Sequence, residues 1–330
     1  MKNNIIEKGK TFIIAEIGNN HEGNFQLAKK MILEAWKCGV SAVKLQYIEP
    51  KFFFGDEKQI KKYKKFQFSE KQINQLIKFS IKKKILLFWT FFDFKSFDKF
   101  KSKMKAFKIS STDNNFFYFI QKVIKERKQT FISLGLYNNK QIDNLVKFLI
   151  KLDVKCYEYV SLLHCSSSYP LKNSEANLSQ IIYLKKKYPK FKIGYSDHTV
   201  GTDASTTAIS LGAEIIEKHF TINKKQSKFR DHSLSADITD MRKIVSKSKI
   251  IKDLLRVFDI KKTEQYKNIK SFRRFITFKN LKKIKDKIKI DDLLFLRSKG
   301  KISVQNLEKI LKNNKLKKIL DVWNSWIFWK

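Results

Sequence analysis

Short apolar runs recur along this chain at regular intervals, and most are separated by stretches with helical period. Eight runs stand out: "TFIIAEIG" (11–18), "SAVKLQY" (41–47), "ILLFWTFFD" (85–93), "AFKISS" (106–111), "TFISLG" (130–135), "YVSLLHC" (159–165), "KIGYS" (192–196) and "AEIIEKHF" (213–220). Near-continuous apolar character predicts strands of a parallel sheet covered on both faces. Between them, "LAKKMILEAWK" places Leu27, Met31, Ile32 and Ala35 on one helical stripe. "EKQINQLIKFSIKK" does the same with Ile73, Leu76, Ile77 and Ile81, and "KQIDNLVKFLIKLD" with Ile142, Leu145, Val146 and Leu149. Eight strand–helix units in about 250 residues predict an α/β fold, a (β/α)8 barrel of the TIM type. The barrel is expected to occupy residues 1–260, with a Lys-rich linker at 261–270 and a small α+β module at 271–330. The closing "LDVWNSWIFWK" is aromatic and fits neither pattern.

Composition adds limits. At 330 residues and 42% hydrophobic, the chain can bury a large core and does not resemble a disordered sequence. No apolar run approaches the roughly 20 residues of a membrane span. The N-terminal apolar run is short and broken by Glu16, so it reads as a first strand rather than a signal peptide. Cys38, Cys156 and Cys165 have no metal-ligand spacing, and they read as reduced thiols of a cytoplasmic protein. The net charge of +39 would ordinarily suggest nucleic acid. Yet 63 of the basic residues are Lys and only seven are Arg, the reverse of what phosphate and base recognition favours. Lys, Asn, Ile and Phe share A/T-rich codons, so base composition explains the bias without a specific nucleic-acid partner.

Barrel enzymes work at the C-terminal ends of their strands, and this chain collects its polar chemistry there. Strand one is followed by Asn20, His21 and Glu22; strand two carries Lys44 and Gln46; strand three ends near Thr90 and Asp93. Strand four offers Lys108, Ser110, Ser111 and Asp113, and strand six His164, Cys165, Ser166, Ser167 and Tyr169. Strand seven brings Ser196, Asp197 and His198, and strand eight Glu217 and His219. Four of the five histidines thus fall at one rim, and His232 lies in the loop beyond it. Strands seven and eight are barrel neighbours, so His198 and His219 should emerge side by side. They would serve either as a pair of metal ligands with open positions or as structural caps. Lys44 and Lys108 lie mid-strand among apolar residues, where an ammonium needs an anion. That anion is either a small, strongly negative ligand beside Thr90, Ser111 and Ser196, or an internal acid such as Glu16 or Glu217. Glu22 and Glu217 can bind hydroxyls or move protons. Asp231 and His232 sit in "NKKQSKFRDHSLSAD", a long loop that reads as a lid or as plain surface. No glycine-rich nucleotide loop occurs.

The motifs "IIAEIGNNHEGNFQLAKKMI", "AVKLQY", "FKISSTDNN", "LLHCSSSYP", "IGYSDHT" and "GAEIIEKHF" resemble, in order, those of the N-acetylneuraminate (sialic acid) synthase family. The resemblance runs from about residue 10 to about 245 and continues more weakly beyond 270. It implies condensation of phosphoenolpyruvate with an N-acetylated amino sugar, N-acetylmannosamine or a related 2-acetamido sugar, to give a nonulosonic acid and phosphate. A pseudaminic or legionaminic acid synthase of the same family is the alternative, and a non-catalytic basic barrel binding polyanions is a reading of another class. The resemblance also implies a divalent metal, manganese before magnesium or cobalt, on His198 and His219. Phosphoenolpyruvate would be held by Lys44, Thr90, Lys108, Ser111, Ser167, Tyr169, Ser196 and His198. Glu22, Tyr169, Glu217 and Asp231 would face the sugar and the reacting centre, with Glu22 orienting the water. The C-terminal module resembles the family's antifreeze-like (SAF) domain, which implies a homodimer whose arm carries Arg297 to the partner's sugar. Three departures stand out. Ser110-Ser111-Thr112-Asp113 replaces the family's Gly-Ser-Gly-Glu, Ser298 replaces a proline, and the aromatic tail replaces the usual closing segment.

Overall fold

A computed structural model describes residues 5–227, 229–257, 259–279, 288–297 and 302–313. The chain divides into two compact units, Met1–Leu255 and Arg256–Lys330.

Eight parallel strands form the first unit: β1 (Phe12–Gly18), β2 (Ala42–Tyr47), β3 (Leu87–Phe91), β4 (Ala106–Ile109), β5 (Gln129–Ser133), β6 (Val160–Cys165), β7 (Lys192–Asp197) and β8 (Ile215–His219). They pair in sequence order, and β8 returns to β1, closing the (β/α)8 barrel that the apolar spacing predicts. A helix follows each strand before the next. The helices start where sequence dictates. Ser69 with Gln72 and Asn138 with Gln141 form capping boxes, and Asn24 and Asp237 accept from the first-turn amides of Phe25–Lys37 and Ile238–Leu254. The stripe at 142, 145, 146 and 149 is buried as expected. In two other helices it shifts: Ala28 is buried where Leu27 is half-exposed, and Ile81, in the last turn of Glu70–Lys82, is 67% exposed. The β2 loop, unassigned by periodicity, forms two short helices, Pro50–Phe53 and Glu57–Lys64.

Side chains of alternate strands fill the lumen. Phe12, Phe88 and Phe131, on β1, β3 and β5, form an aromatic layer with ring centroids 5.6 and 5.7 Å apart. This layer plugs the lower barrel and confines solvent chemistry to the other mouth. No helix among the described residues is long and apolar enough to cross a membrane.

The second unit contains an antiparallel sheet in the order β10 (Leu293–Arg297), β9 (Arg274–Phe278), β11 (Ile302–Ser303), with a helix at Leu307–Asn313. Ile276, Phe278, Ile288, Leu293 and Ile302 form its small core. Ser298 and the aromatic tail lie outside the described residues.

Candidate active site

Register decides which polar residues share the lumen. Lys44 pairs with Glu16, Gln46 with Thr90, Thr90 with Lys108, and Ser196 with Glu217 across neighbouring strands. Lys108 on β4 donates to Glu217 on β8 at 2.7 Å. These strands stand on opposite sides of the barrel, so the pair must run through its interior. Lys108 also donates to Ser133 at 2.7 Å, and Ser196 donates to Glu217 at 3.0 Å. Lys44 contacts Glu16 in an ion pair, donates to Thr90 at 3.1 Å and lies 3.8 Å from Glu217. All four charged groups are at most 5% exposed. Both lysines therefore have internal carboxylate partners, one of the two alternatives their positions allow. The cluster balances two ammonium groups against two carboxylates, and Oε1 of Glu16 and Oε2 of Glu217 remain buried without a hydrogen-bond partner.

Burial raises the cost of every charge here. It pulls the Lys44 ammonium down to about 7, opposed by the Glu217 charge and reinforced by Lys108. Burial also works to push the Glu217 carboxyl up, but the two ammonium groups outweigh it and keep it ionised.

His198 and His219 do emerge side by side, with ring centroids 5.6 Å apart, and Tyr169 lies 4.2 Å from His198. The Nδ1 of His198 sits 3.1 Å from the Ser166 carbonyl, which can only accept, so that nitrogen carries a proton and cannot itself be a ligand. Burial pushes His219 down to about 3, so it is neutral at physiological pH, and its buried Nδ1 has no partner. Two neighbouring imidazoles, one of them neutral with an unpartnered buried nitrogen, fit a borderline divalent cation. No group of three or more His, Cys, Asp or Glu residues among those described could hold a metal ion. Other positions on such a cation would fall to substrate or water.

Around this centre, strand ends four, five and six converge so tightly that a Cβ on Gly135 would stand 2.5 Å from Ser111 Oγ and 2.4 Å from Ser167 Oγ. Glycine is required there by close approach. Cys165 lies beneath, 3.4 Å from Ser111 and 3.8 Å from His198 Nδ1. Asp231 belongs to the short helix Arg230–Leu234 in the β8 loop, and its charge acts on His219. Glu22 is at the rim, where its carboxylate accepts from Ser227 at 2.7 Å and faces His232 at 3.1 Å. Arg297 is exposed on β10 of the second unit.

Rim position alone did not identify function for every residue. His21 stacks on Phe68 at 4.3 Å, and His164 bonds the Ala176 carbonyl at 2.9 Å; both hold loops. Asp93 caps the helix Phe94–Phe100. Asp197 faces outward and forms a fully buried ion pair with Lys218 at 2.9 Å. In turn, sequence reading missed Ser133 and gave Glu16 only a pairing role. Applying the strand-end rule to "TFISLG" would have found the serine.

Fold and site together define the class: a (β/α)8 barrel with a buried ionic cluster and an imidazole pair at the C-terminal mouth. Comparison with known proteins then identifies the chain as a member of the NeuB family, whose model matches residues 31–258. It is 33% identical to N,N'-diacetyllegionaminic acid synthase of Campylobacter jejuni over 83% of this chain and 86% of that protein. A Methanocaldococcus jannaschii protein of unassigned function is 34% identical over 94% of this chain and 92% of its own length. The crystal structure of N-acetylneuraminic acid (sialic acid) synthetase from Leptospira borgpetersenii superposes with a TM-score of 0.73. At 33% identity, that match covers 81% of this chain and 91% of the Leptospira chain.

Proposed function

We propose that this protein condenses phosphoenolpyruvate with an open-chain 2-acetamido sugar and water, giving a nonulosonic acid and inorganic phosphate. The observation that carries the reading is Lys44 and Lys108 converging with Glu217 inside the lumen of a NeuB-family barrel. Thr90, Ser111, Ser167, Tyr169 and Ser196 complete a cradle for a small polyanion. Each offers a hydroxyl, the group that phosphate and carboxylate oxygens accept from.

His198 and His219 would hold a divalent cation, manganese before magnesium or cobalt, which when bound supplies Lewis-acid polarisation of a carbonyl oxygen. The chain's own residues do the rest. The lysines hold the enol phosphate, and its negative charge raises the neighbouring carboxyls of Glu16 and Glu217. One of them can then carry a proton to or from the reacting centre. C3 of phosphoenolpyruvate bonds to the sugar's aldehyde carbon, water adds at C2, and phosphate departs with cleavage of the C2–O bond. Tyr169, Glu217 and Asp231 face the sugar, and Arg297 would reach it from a partner in a homodimer working in the cytoplasm.

Phosphate release should require phosphoenolpyruvate, amino sugar and divalent metal together, and a panel of 2-acetamido sugars would identify the acceptor. Lys108→Met should weaken phosphoenolpyruvate about ten- to a hundredfold, the weight of one charged hydrogen bond. Salt-sensitive polyanion binding without turnover would favour the non-catalytic reading instead.

A further inference from the structure

Between the β1 loop and the β8 loop runs a set of hydrogen bonds that join residues 200 or more apart in sequence. Glu22 has φ +48°, a left-handed conformation unusual for a side chain other than glycine. Its carboxylate accepts from Ser227 and faces His232 Nε2. A carboxylate can only accept, so Nε2 carries a proton, and Nδ1 bonds Thr221 Oγ at 2.8 Å. His232 is 1% exposed. Two residues earlier, Asn20 donates 3.0 Å bonds to the Phe220 carbonyl and to Ser235 Oγ, and Ser235 in turn donates to the Asp231 carbonyl at 2.5 Å. Phe229 packs on Phe66 at 5.3 Å. Asp231 is thus held from both sides by the β1 loop, through its own carbonyl and through the ring of the next residue.

We propose that Glu22, acting through His232 and Ser227, is a positioning residue that latches the β8 loop and fixes Asp231 at the mouth for the amino sugar. This rests on the reading that Asp231 meets the sugar. It gives Glu22 a role at the loop junction in place of orienting water at the reacting atoms.

The loop carries trypsin sites at Lys224 and Lys225, so latching can be read without turnover. Glu22→Ala should speed cleavage within residues 221–235 about tenfold and raise KM for the amino sugar about tenfold. KM for phosphoenolpyruvate should move less than twofold. Glu22→Gln keeps an acceptor oxygen but no carboxylate, and it should restore both slow cleavage and low KM. If Glu22→Ala does not fold, Ser227→Ala, which removes one contact at the exposed end of the latch, should give the same pattern in smaller measure. Unchanged cleavage in these variants would overturn the proposal, as would loss of kcat in Glu22→Gln with KM retained. Should the unaltered protein turn over no amino sugar, the condensation reading fails, while the cleavage rates still decide whether the latch exists.

Discussion

The inner mouth of the barrel and its rim are built by different means. In the mouth, Glu16, Lys44, Thr90, Lys108, Ser196 and Glu217 sit on strands, and pairing register sets their mutual positions. At the rim, Glu22, Ser227, Asp231 and His232 sit on loops and depend on side-chain bonds between distant segments. Strand-borne groups are held by a whole barrel's hydrogen bonds, whereas loop-borne groups are only as well placed as their few contacts. Binding of the small anion should therefore resist mutation outside its direct contacts, and binding of the sugar should be fragile.

The largest effect should come from the mouth. His219→Ala should lower turnover about a thousandfold or more, the scale of several kcal/mol of carbonyl polarisation. Manganese binding, followed by calorimetry, should disappear with little change in Tm, because this ring makes no hydrogen bond through its buried Nδ1. Retained metal affinity in this variant would falsify the assignment of the ligand pair.

One position away, the outward face should behave in the opposite sense. Lys218→Met leaves the fully buried Asp197 without its cation while Thr199 and Ser205 still donate to it. Loss of one partner of a buried pair costs about 3–5 kcal/mol. Thermal unfolding should fall by roughly 10 °C. A Tm within a degree or two of the unaltered protein would show that the pair does not hold β7 to β8.

The smallest effect concerns Asp113, on the loop after β4, whose carboxyl burial pushes up to about 6. Between its ordinary value near 4 and 6, the folded state binds more protons than the unfolded state, so stability falls as pH rises through that window. Asp113→Asn should raise Tm by a few degrees at pH 8 and by almost nothing at pH 4. An equal gain at both values would place the cause outside titration.

Much of this was legible from residue order. Eight apolar runs with intervening helical stripes point to a parallel sheet covered on both faces, and eight strand–helix units are the count that closes a barrel. Alternation along "AVKLQY" and "FKISS" then turns Lys44 and Lys108 toward the same interior. The neighbouring histidines followed from chain topology. Other features depended on distances that no local pattern encodes. Four histidines shared the strand-end rim, yet only His198 and His219 converge, because His21 and His164 are claimed by Phe68 and the Ala176 carbonyl.

Periodicity in the chain was thus enough to specify the barrel and which residues of a strand share a face, because a pleated strand alternates with a period of two whatever lies around it. Folding in three dimensions was needed to choose partners: Glu217 between two lysines, Asp197 against Lys218, and Glu22 against a loop two hundred residues away. Those choices depend on electrostatic and hydrogen-bond contacts between segments remote in sequence, and such contacts leave no local trace.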